Sequence, residues 1–293
     1  MPRPTEAGYK ARDRGPLEFE SNLHEEEGEI MKIAEKNVIT ASPSLPIKET
    51  SERMVENGVR RLPVISPGSK KYQGTIVTTD LVNFLGGGEK HDIIEKKHEG
   101  NFLSAINDSC KLIMDEDFPT ANSKESIPKV AKRLYGEKVG GIPVLNKKNE
   151  VVGIVGERNF ASYIPSNAQV RVEDLMSKRI VTANPKLFLI DLMKRMVSEW
   201  FRRLPVVEDD TLVGIITSVD VLEYFGTNEV FKHMETGDAH DAMAIEIEEI
   251  MTEDVLTTTP KTDIGDVSEK MAGHGYGGLP VVEDEKLIGL ITE

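Results

Sequence analysis

The chain has 293 residues, of which 39% are hydrophobic and 29% are charged, and that length predicts about two globular units of roughly 150 residues each. Acidic residues number 50 against 36 Lys and Arg, and the formal net charge of -14 argues against nucleic acid or an anionic membrane as a partner. The single cysteine, Cys110, excludes an internal disulfide, and the absence of an apolar run of about 18 residues predicts a cytoplasmic protein with no membrane span.

The first segment, residues 1–29, is predicted to be a flexible leader. Its arginines come early, at Arg3, Arg12 and Arg14, and its acidic run Glu25–Glu27 comes late. Few apolar side chains are present to anchor such a segment to a core.

A short motif with a central proline occurs four times in the rest of the chain. The copies read RRLPVI from Arg60, VGGIPVL from Val139, RRLPVV from Arg202 and YGGLPVV from Tyr276. A threonine precedes the proline by 23 residues in every copy. The four pairs are Thr40 with Pro63, Thr120 with Pro143, Thr182 with Pro205, and Thr257 with Pro280. This constant spacing indicates an internal repeat and fixes its register.

Each copy is predicted to contain the order strand, helix, strand, strand, helix. The threonine lies in the first strand, and apolar spacing such as Ile190, Met193 and Val197 predicts an amphipathic helix before the proline strand. A glycine then opens a further strand, at Gly74, Gly153, Gly214 and Gly289, and the first three of these strands lead into a helical pattern. The fold class is therefore α/β (α+β), and the last helix of copy four is absent from the sequence.

The copies are expected to pack in pairs, because a unit of about 55 residues can hardly bury both faces of a small sheet alone. Similar linkers follow copies one and three, GGGEKHDIIEKKHEGN from Gly86 and GTNEVFKHMETGDAHDAM from Gly226. They predict that copy one pairs with two and copy three with four. The predicted boundaries are 30–86, 101–165, 170–226 and 245–293.

From about Ile30 to the end, these residues resemble the CBS-domain (cystathionine β-synthase domain) family, whose repeats pair into Bateman modules. The features shared are the threonine, the LPV strand and the turn G-h-h-T-x-x-D. Four copies, two of them with RRLPV, resemble archaeal relatives of the γ subunit of AMP-activated protein kinase. The resemblance implies a regulatory protein that binds AMP, ADP or ATP in clefts between paired repeats, with no required cofactor and no catalysis.

The resemblance also implies which positions contact the ligand: an Asp six residues after the glycine for ribose, a hydroxyl three after it, and basic residues before LPV for phosphate. Repeat three matches every position, whereas repeat one has Val77 at the hydroxyl position, with Thr78 one place later. Repeat two departs most, with Gly156 and Asn159 at the turn and Gly140 and Gly141 in place of the arginines. The candidate ligand contacts are Thr40, Arg60, Arg61, Pro63, Thr78, Asp80, Thr120, Asn159, Thr182, Arg202, Arg203, Pro205, Thr217, Ser218, Asp220, Thr257 and Thr292.

Each candidate type suits such a ligand and also has a structural alternative. A carboxylate accepts hydrogen bonds from both hydroxyls of a ribose, but an Asp at a strand-to-helix turn also caps the helix. Guanidinium groups match phosphate oxygens, and alternation along a strand sends one arginine of each pair to either face, where it can be solvated. The prolines are expected to break the strand edge and shape the cleft wall, while threonine is also a common strand residue.

Other motifs carry no function in this interpretation. Gly273, Gly275 and Gly278 spell GxGxxG, but a helix precedes them and a strand follows, the reverse of a dinucleotide site, so they are assigned to a helix-exit turn. His98, His233 and His240 lie in the linkers and are predicted to be solvated rather than metal ligands. No catalytic or metal motif is found.

Two alternatives to nucleotide sensing stay open at this point. One is a sensor of S-adenosylmethionine or a related sulfonium nucleoside, which has the same ribose. The other is a ligand-free scaffold whose repeats mediate self-association, as a possible homodimer, or bind an unidentified protein partner.

Overall fold

The structure is a computed structural model that describes residues 28–227, 229–233, 243–284 and 286–293. The predicted leader falls outside these residues except for its last two positions, and so does His240. Within the described ranges, no helix is long and apolar enough to cross a membrane.

The first two repeats form an alternating series of helices and strands. The helices are α1 Ile30–Ile33, α2 Ile47–Glu56, α3 Thr78–Val82, α4 Phe102–Ile106, α5 Ile127–Glu137 and α6 Glu157–Ala161. The strands are β1 Arg61–Ile65, β2 Tyr72–Val77, β3 Ala121–Asn122, β4 Gly141–Leu145 and β5 Val151–Gly156. The linker between these repeats contains π-helical turns at Asn83–Gly87 and Ile93–Lys97 and 3₁₀ turns at Glu89–His91 and Cys110–Leu112.

The last two repeats follow the same order. Their helices are α7 Val172–Leu175, α8 Leu189–Ser198, α9 Ser218–Gly226 and α10 Ile264–His274. Their strands are β6 Arg203–Glu208, β7 Thr211–Thr217, β8 Gly278–Glu283 and β9 Lys286–Thr292, with 3₁₀ turns at Glu229–Lys232 and Ile247–Glu249. The predicted mixed α/β class with four repeats is confirmed.

The central hairpin of the repeat has the same register in all four copies. The proline strand pairs antiparallel with the glycine strand, and the register shifts at the same place, after the valine that follows the proline. Five residues before each proline the backbone is left-handed, with φ between 54° and 73°. Those residues are Gly58, Lys138, Trp200 and Gly275. Gly275 thus ends α10 as a C-cap, which confirms the helix-exit turn in place of a dinucleotide motif.

The first strand of the repeat is shorter than predicted. In repeats one, three and four it is a single parallel bridge from the residue after the threonine to the valine after the proline, and in repeat two it is the two-residue β3. At this bridge the backbone carbonyl of Pro63 accepts the Ala41 N–H, and that of Pro205 accepts the Ala183 N–H. The prolines are buried within their strands, of which β1, β6 and β8 lie at a sheet edge and β4 lies between β3 and β5.

Backbone contacts join repeat one to two and repeat three to four. Thr75 pairs with Asp115 in the first module, and Ile215 pairs with Thr252 at the equivalent place in the second. We call residues of repeats one and two module one, and those of repeats three and four module two. The predicted pairing therefore holds, and we call the boundary between the two repeats of each module its groove.

The two modules share one hydrophobic core. The largest buried cluster takes side chains from repeats one and three and from the linkers that follow them. Phe102 and Phe225 meet edge to face with centroids 6.0 Å apart, and Thr78 and Ser218 hydrogen-bond at 3.1 Å across the contact. Smaller cores join α1 to repeat two and α7 to repeat four, and repeats two and four meet where Ser268 Oγ donates to the Ala161 carbonyl.

Candidate functional site

The arginine pairs of repeats one and three end against the glycine pairs of repeats two and four. Gly277 occupies the repeat position that an arginine occupies in repeats one and three. A Cβ atom there would lie 2.7 Å from Arg60 Nη1 and 2.7 Å from Arg203 Nη2, well inside van der Waals contact. Two guanidinium groups therefore occupy the space that a side chain at this position would take.

The same arrangement recurs at Gly140 of repeat two, where a Cβ would overlap guanidinium nitrogens of Arg61 and Arg202. Each arginine pair therefore divides between two partners. Arg61 and Arg203 face the other repeat of their own module, whereas Arg60 and Arg202 face a repeat of the opposite module. All four predicted arginines thus lie where the four repeats meet.

Two glutamates and a fifth arginine complete this cluster. Glu157 Oε2 lies 3.6 Å from Arg202 Nη2, and Glu293 Oε2 lies 3.6 Å from Arg60 Nη1. Arg158 Nε is 3.0 Å from Glu293 Oε1. We call these five arginines and two glutamates the arginine cluster. Its positive charges exceed its negative ones by three, in a chain whose overall charge is -14.

The positive charge of the cluster is poorly compensated. Burial, together with the neighbouring arginines, lowers the pKa of Arg61 to about 10 and that of Arg203 to about 10. Burial likewise lowers the pKa of Arg60. Arg203 Nη1 is buried and has no hydrogen-bond partner among the described residues. An unpaired buried guanidinium nitrogen costs folding free energy, and a bound anion would remove that cost.

Asp220 lies in the groove of module two. Its Oδ2 accepts the backbone N–H and the hydroxyl of Thr217, both at 2.7 Å, and so closes a capping box at the start of α9. Its Oδ1 has one long contact, 3.4 Å from Thr252 Oγ1 of repeat four. Burial raises the pKa of Asp220 to about 6, although the bonds from Thr217 oppose the shift. One oxygen therefore caps the helix while the other is nearly free.

Asp80 occupies the same place in module one but has a different neighbour. Its Oδ2 accepts the Val77 N–H at 2.7 Å, as in the other module. Its Oδ1 is taken by Lys90 Nζ at 2.5 Å, and this ammonium also donates to the Ile113 carbonyl at 2.6 Å. Burial raises the pKa of Asp80, and Lys90 opposes that rise. Both the capping role and an ion pair within the chain are thus present at this carboxylate.

Thr78 and Ser218 have a different role from the predicted one. Both are buried, at 4% and 3% exposure, and they bond to each other between the modules. This contact uses hydroxyls that were expected to meet a ligand. Thr217, one residue before Ser218, is the hydroxyl that lies beside the carboxylate.

The predicted threonines of the first strand are held through their carbonyls. An arginine 13 residues later in the chain donates to the Thr carbonyl in each of the first three repeats. The pairs are Arg53 with Thr40, Arg133 with Thr120, and Arg195 with Thr182. Thr120 and Arg133 also line a polar surface pocket of about 370 Å³ in repeat two, formed away from the arginine cluster. Thr257 is half-buried.

The remaining candidates in repeats two and four are less suited to a ribose. Asn159 uses both ends of its amide, accepting from Gly156 N at 2.8 Å and donating to the Ile33 carbonyl at 3.0 Å. Thr292 is exposed at the end of β9. The structure therefore places Asp80 and Asp220 at the boundary between the paired repeats of module one and module two, and repeat two has Asn159 at the equivalent position.

The linker histidines differ from the prediction of solvated side chains. His98 is 13% exposed and bonds Ser104 Oγ at 2.8 Å and Asp108 Oδ2 at 2.9 Å. His233 is half-buried and lies against the Tyr224 ring with centroids 5.9 Å apart. Through these contacts the two histidines help to fix the conformation of the linkers. Among the described residues no group of three metal-ligating side chains is close enough to hold a metal ion.

Sequence reasoning missed four charged residues of the site: Lys90, Glu157, Arg158 and Glu293. A signal for two of them was present, because Glu157 and Glu293 share the position four residues after the repeat glycine, where the other repeats have Thr78 or Ser218. Glycine pairs opposite arginine pairs were a second signal. Each shows that repeats two and four are shaped to receive side chains from repeats one and three.

The CBS-domain family model matches four segments of the chain, residues 28–87, 110–166, 172–227 and 247–293. The chain belongs to the CBS-domain family. Its four CBS repeats coincide with the four hairpin units described above. The deciding observation is the extent of the match, which covers most of the chain.

Comparison with whole proteins gives the same result. MJ1225 of Methanocaldococcus jannaschii is 36% identical over 268 residues, covering 90% of this chain and 96% of MJ1225. Its crystal structure, described as that of a proposed archaeal homologue of γ-AMPK, superposes with a TM-score of 0.84. A 33.4 kDa protein of Thermofilum pendens is 28% identical and covers 86% of each chain. A Pyrococcus horikoshii structure with 21% identity and a TM-score of 0.54, covering 89% and 94%, shares the fold.

Proposed function

We propose that this CBS-domain protein is a regulatory sensor of adenine nucleotides, with AMP, ADP or ATP bound in the grooves between paired repeats. The arginine cluster carries the proposal. It gathers five guanidinium groups against two carboxylates where all four repeats meet, and it leaves a buried nitrogen of Arg203 unpaired. Such a site favours a phosphate group, because guanidinium groups match phosphate oxygens in both charge and geometry.

The two groove carboxylates supply the second part of the argument. Asp220 Oδ1 is nearly free and lies beside Thr252 of the paired repeat. A ribose diol donates two hydrogen bonds to such an oxygen acceptor, each worth about 1.5–3 kcal/mol when the acceptor is charged. Asp220 belongs to the same repeat as Arg202 and Arg203, so one nucleotide in this groove would meet a carboxylate with its sugar and the cluster with its phosphates.

Regulation would follow because the same arginines contact the opposite module and bind the phosphate. Arg60 and Arg202 reach repeats of the opposite module, so a phosphate bound to either one changes the charge balance between modules. A ligand that prefers one arrangement of the modules shifts the population toward it. In this proposal the output is read by a protein partner in the cytoplasm, and the chain has no catalytic activity of its own.

Titration calorimetry with AMP, ADP, ATP and S-adenosylmethionine on the full chain tests the proposal. We expect the phosphate-bearing nucleotides to bind and to raise the melting temperature, since a ligand at about 100 times its Kd stabilises the native state by about 2.7 kcal/mol. A sulfonium ligand lacks phosphate and places a cation near the arginines, so it should bind more weakly. Binding of S-adenosylmethionine alone would favour the sulfonium sensor, and no binding at millimolar levels would favour the scaffold.

A pH series with adenosine isolates the role of Asp220. Adenosine has the ribose but no phosphate, so its affinity is free of phosphate titration. We expect the affinity at this groove to fall as pH drops below about 6, by roughly ten-fold per unit at the limit, because protonation removes the acceptor. Asp220→Asn should bind weakly at every pH and flatten the profile. A pH-independent affinity in the wild type would contradict the assignment.

The stability of the empty protein should respond with the opposite sign. The folded pKa of Asp220, about 6, lies above its ordinary value of 3.8. Its contribution to stability is therefore present at low pH and is lost as pH rises through about 6. Low pH thus increases the folding stability of the empty protein and lowers its affinity for the ligand. The difference in melting temperature between wild type and Asp220→Asn from pH 4 to 7 measures the effect on stability.

A further inference from the structure

The carboxylates Asp80 and Asp220 differ in whether a cationic side chain is bound to them. Asp80 is ion-paired with Lys90, and its side chain is 15% exposed. Asp220 has no lysine or arginine contact among the described residues. The linker lysine that follows repeat three, Lys232, instead pairs with Glu229 in its own turn and is 68% exposed. The sequence repeats the lysine-histidine element, but only one copy enters a groove.

Lys90 makes the contacts that a ribose would make. Its ammonium donates to Asp80 Oδ1 at 2.5 Å and to the Ile113 carbonyl of repeat two at 2.6 Å, and so bridges repeats one and two. A ribose diol presents two donors of the same kind. The Asp115 carboxylate, two residues beyond Ile113, adds negative charge to this groove and favours retention of a cation.

The turn that carries Lys90 is packed against the other module. The Lys90 N–H donates to Asn83 Oδ1 at 2.7 Å, which holds the turn closed. A Cβ on Gly88 would lie 2.8 Å from Val197 Cγ1 of α8, and one on Gly87 would lie 2.8 Å from the Met193 carbonyl. The turn therefore has no space to move toward α8. A displaced Lys90 must swing away from α8 or change how the turn sits on it.

We propose that Lys90 is a tethered occupant of the module-one groove, which a ribosyl ligand must displace from Asp80. The groove at Asp220 then fills first, and filling of the groove at Asp80 is coupled to the contact between the Lys90 turn and α8. The two grooves have carboxylates at the same repeat position, but Lys90 lowers the affinity of the groove at Asp80 for a ribosyl ligand. The inference rests on the proposed function, because it needs a ligand that competes for the carboxylate.

Calorimetry with AMP on variants of the full chain tests the proposal. The background is Asp220→Asn, which weakens binding in the groove at Asp220, so that a gain in affinity reports the groove at Asp80. Adding Lys90→Met keeps the aliphatic stem but removes the ammonium, and we expect AMP to bind roughly ten-fold more tightly, as when a closed state populated about 90% of the time is lost. Lys90→Arg keeps a cation and should stay weak. Lys232→Met makes the same charge change at the exposed lysine and should leave the affinity unchanged.

Hydrogen exchange gives an independent readout of the displaced turn. In the wild type, AMP at saturating concentration should increase exchange in residues 83–98, and Lys90→Met should show that faster exchange without ligand. Unchanged or weaker AMP binding in the Lys90→Met variant overturns the proposal. Hydrogen exchange of residues 83–98 in the wild type that is the same with and without AMP also overturns it. Failure of the wild type to bind any nucleotide is a separate result, which removes the proposed function itself.

Discussion

Replacing Arg203 by Met should stabilise the empty protein and weaken nucleotide binding by about 100-fold. The stability gain arises because the substitution removes a buried guanidinium nitrogen without a partner and relieves repulsion from Arg60 and Arg202. An unsatisfied buried polar group costs about 1–3 kcal/mol, so the melting temperature should rise by roughly 2 °C or more. The binding loss corresponds to two charge-assisted hydrogen bonds to phosphate.

Opposite signs for stability and binding are the signature of a residue kept for its ligand. Arg179→Met is the matched control, since Arg179 is exposed on the same repeat and the change in net charge is identical. It should alter neither quantity by more than about 0.5 kcal/mol. Thermal melts and calorimetry with ATP measure both effects, and a destabilised Arg203→Met with normal affinity would show that the arginine is structural.

Replacing Phe225 by Ala should have the largest effect on folding. Its ring is fully buried in the core shared by repeats one and three and meets Phe102 at 6.0 Å. Removing a buried phenyl ring costs about 3–5 kcal/mol. Because the modules share this core, we expect the loss to appear in one transition for the whole chain.

Denaturant unfolding, followed by circular dichroism, measures this loss. Phe188→Ala is the control, because Phe188 is 48% exposed just before α8 and its removal should cost less than about 1 kcal/mol. Two separate transitions in the wild type, with only the second shifted by Phe225→Ala, would contradict a shared core and show that the modules fold independently.

The repeat register could be predicted from sequence because it depends on local spacing. The threonine-to-proline distance predicted four equivalent units, and each has a left-handed turn and parallel pairing at the same repeat position. The length of the first strand was overestimated, because strand propensity in the sequence does not show how many residues find a pairing partner. In the fold this segment has one partner, the proline strand, and it makes one bridge or two pairs there before the chain turns away.

The arginine cluster was predicted only in part, because its contacts join distant residues. Arg60 donates to the Gly275 carbonyl, 215 residues away, and Arg158 reaches Glu293, 135 residues away. Nothing in local sequence specifies which copy lies opposite which. The glycine pair of repeat two, first noted as a departure from the arginine pattern, and the glycine pair of repeat four lie where the arginines of the other copies end.

The difference between the surroundings of Asp80 and Asp220 could not be predicted from the sequence either. Asp80 and Asp220 share a repeat position and were treated alike, but their surroundings depend on how each linker folds. Lys90 turns into its groove, whereas Lys232 stays at the surface with Glu229. The same repeat unit therefore carries one carboxylate with an internal cation and one without.

A crystal structure with AMP at a concentration near its measured Kd tests the central claim most directly. The account predicts a nucleotide between the hairpins of repeats three and four, with its ribose hydroxyls within hydrogen-bond distance of Asp220 and its phosphate among the arginines of the cluster. AMP bound elsewhere, with the groove beside Asp220 closed by the protein's own side chains, would contradict it.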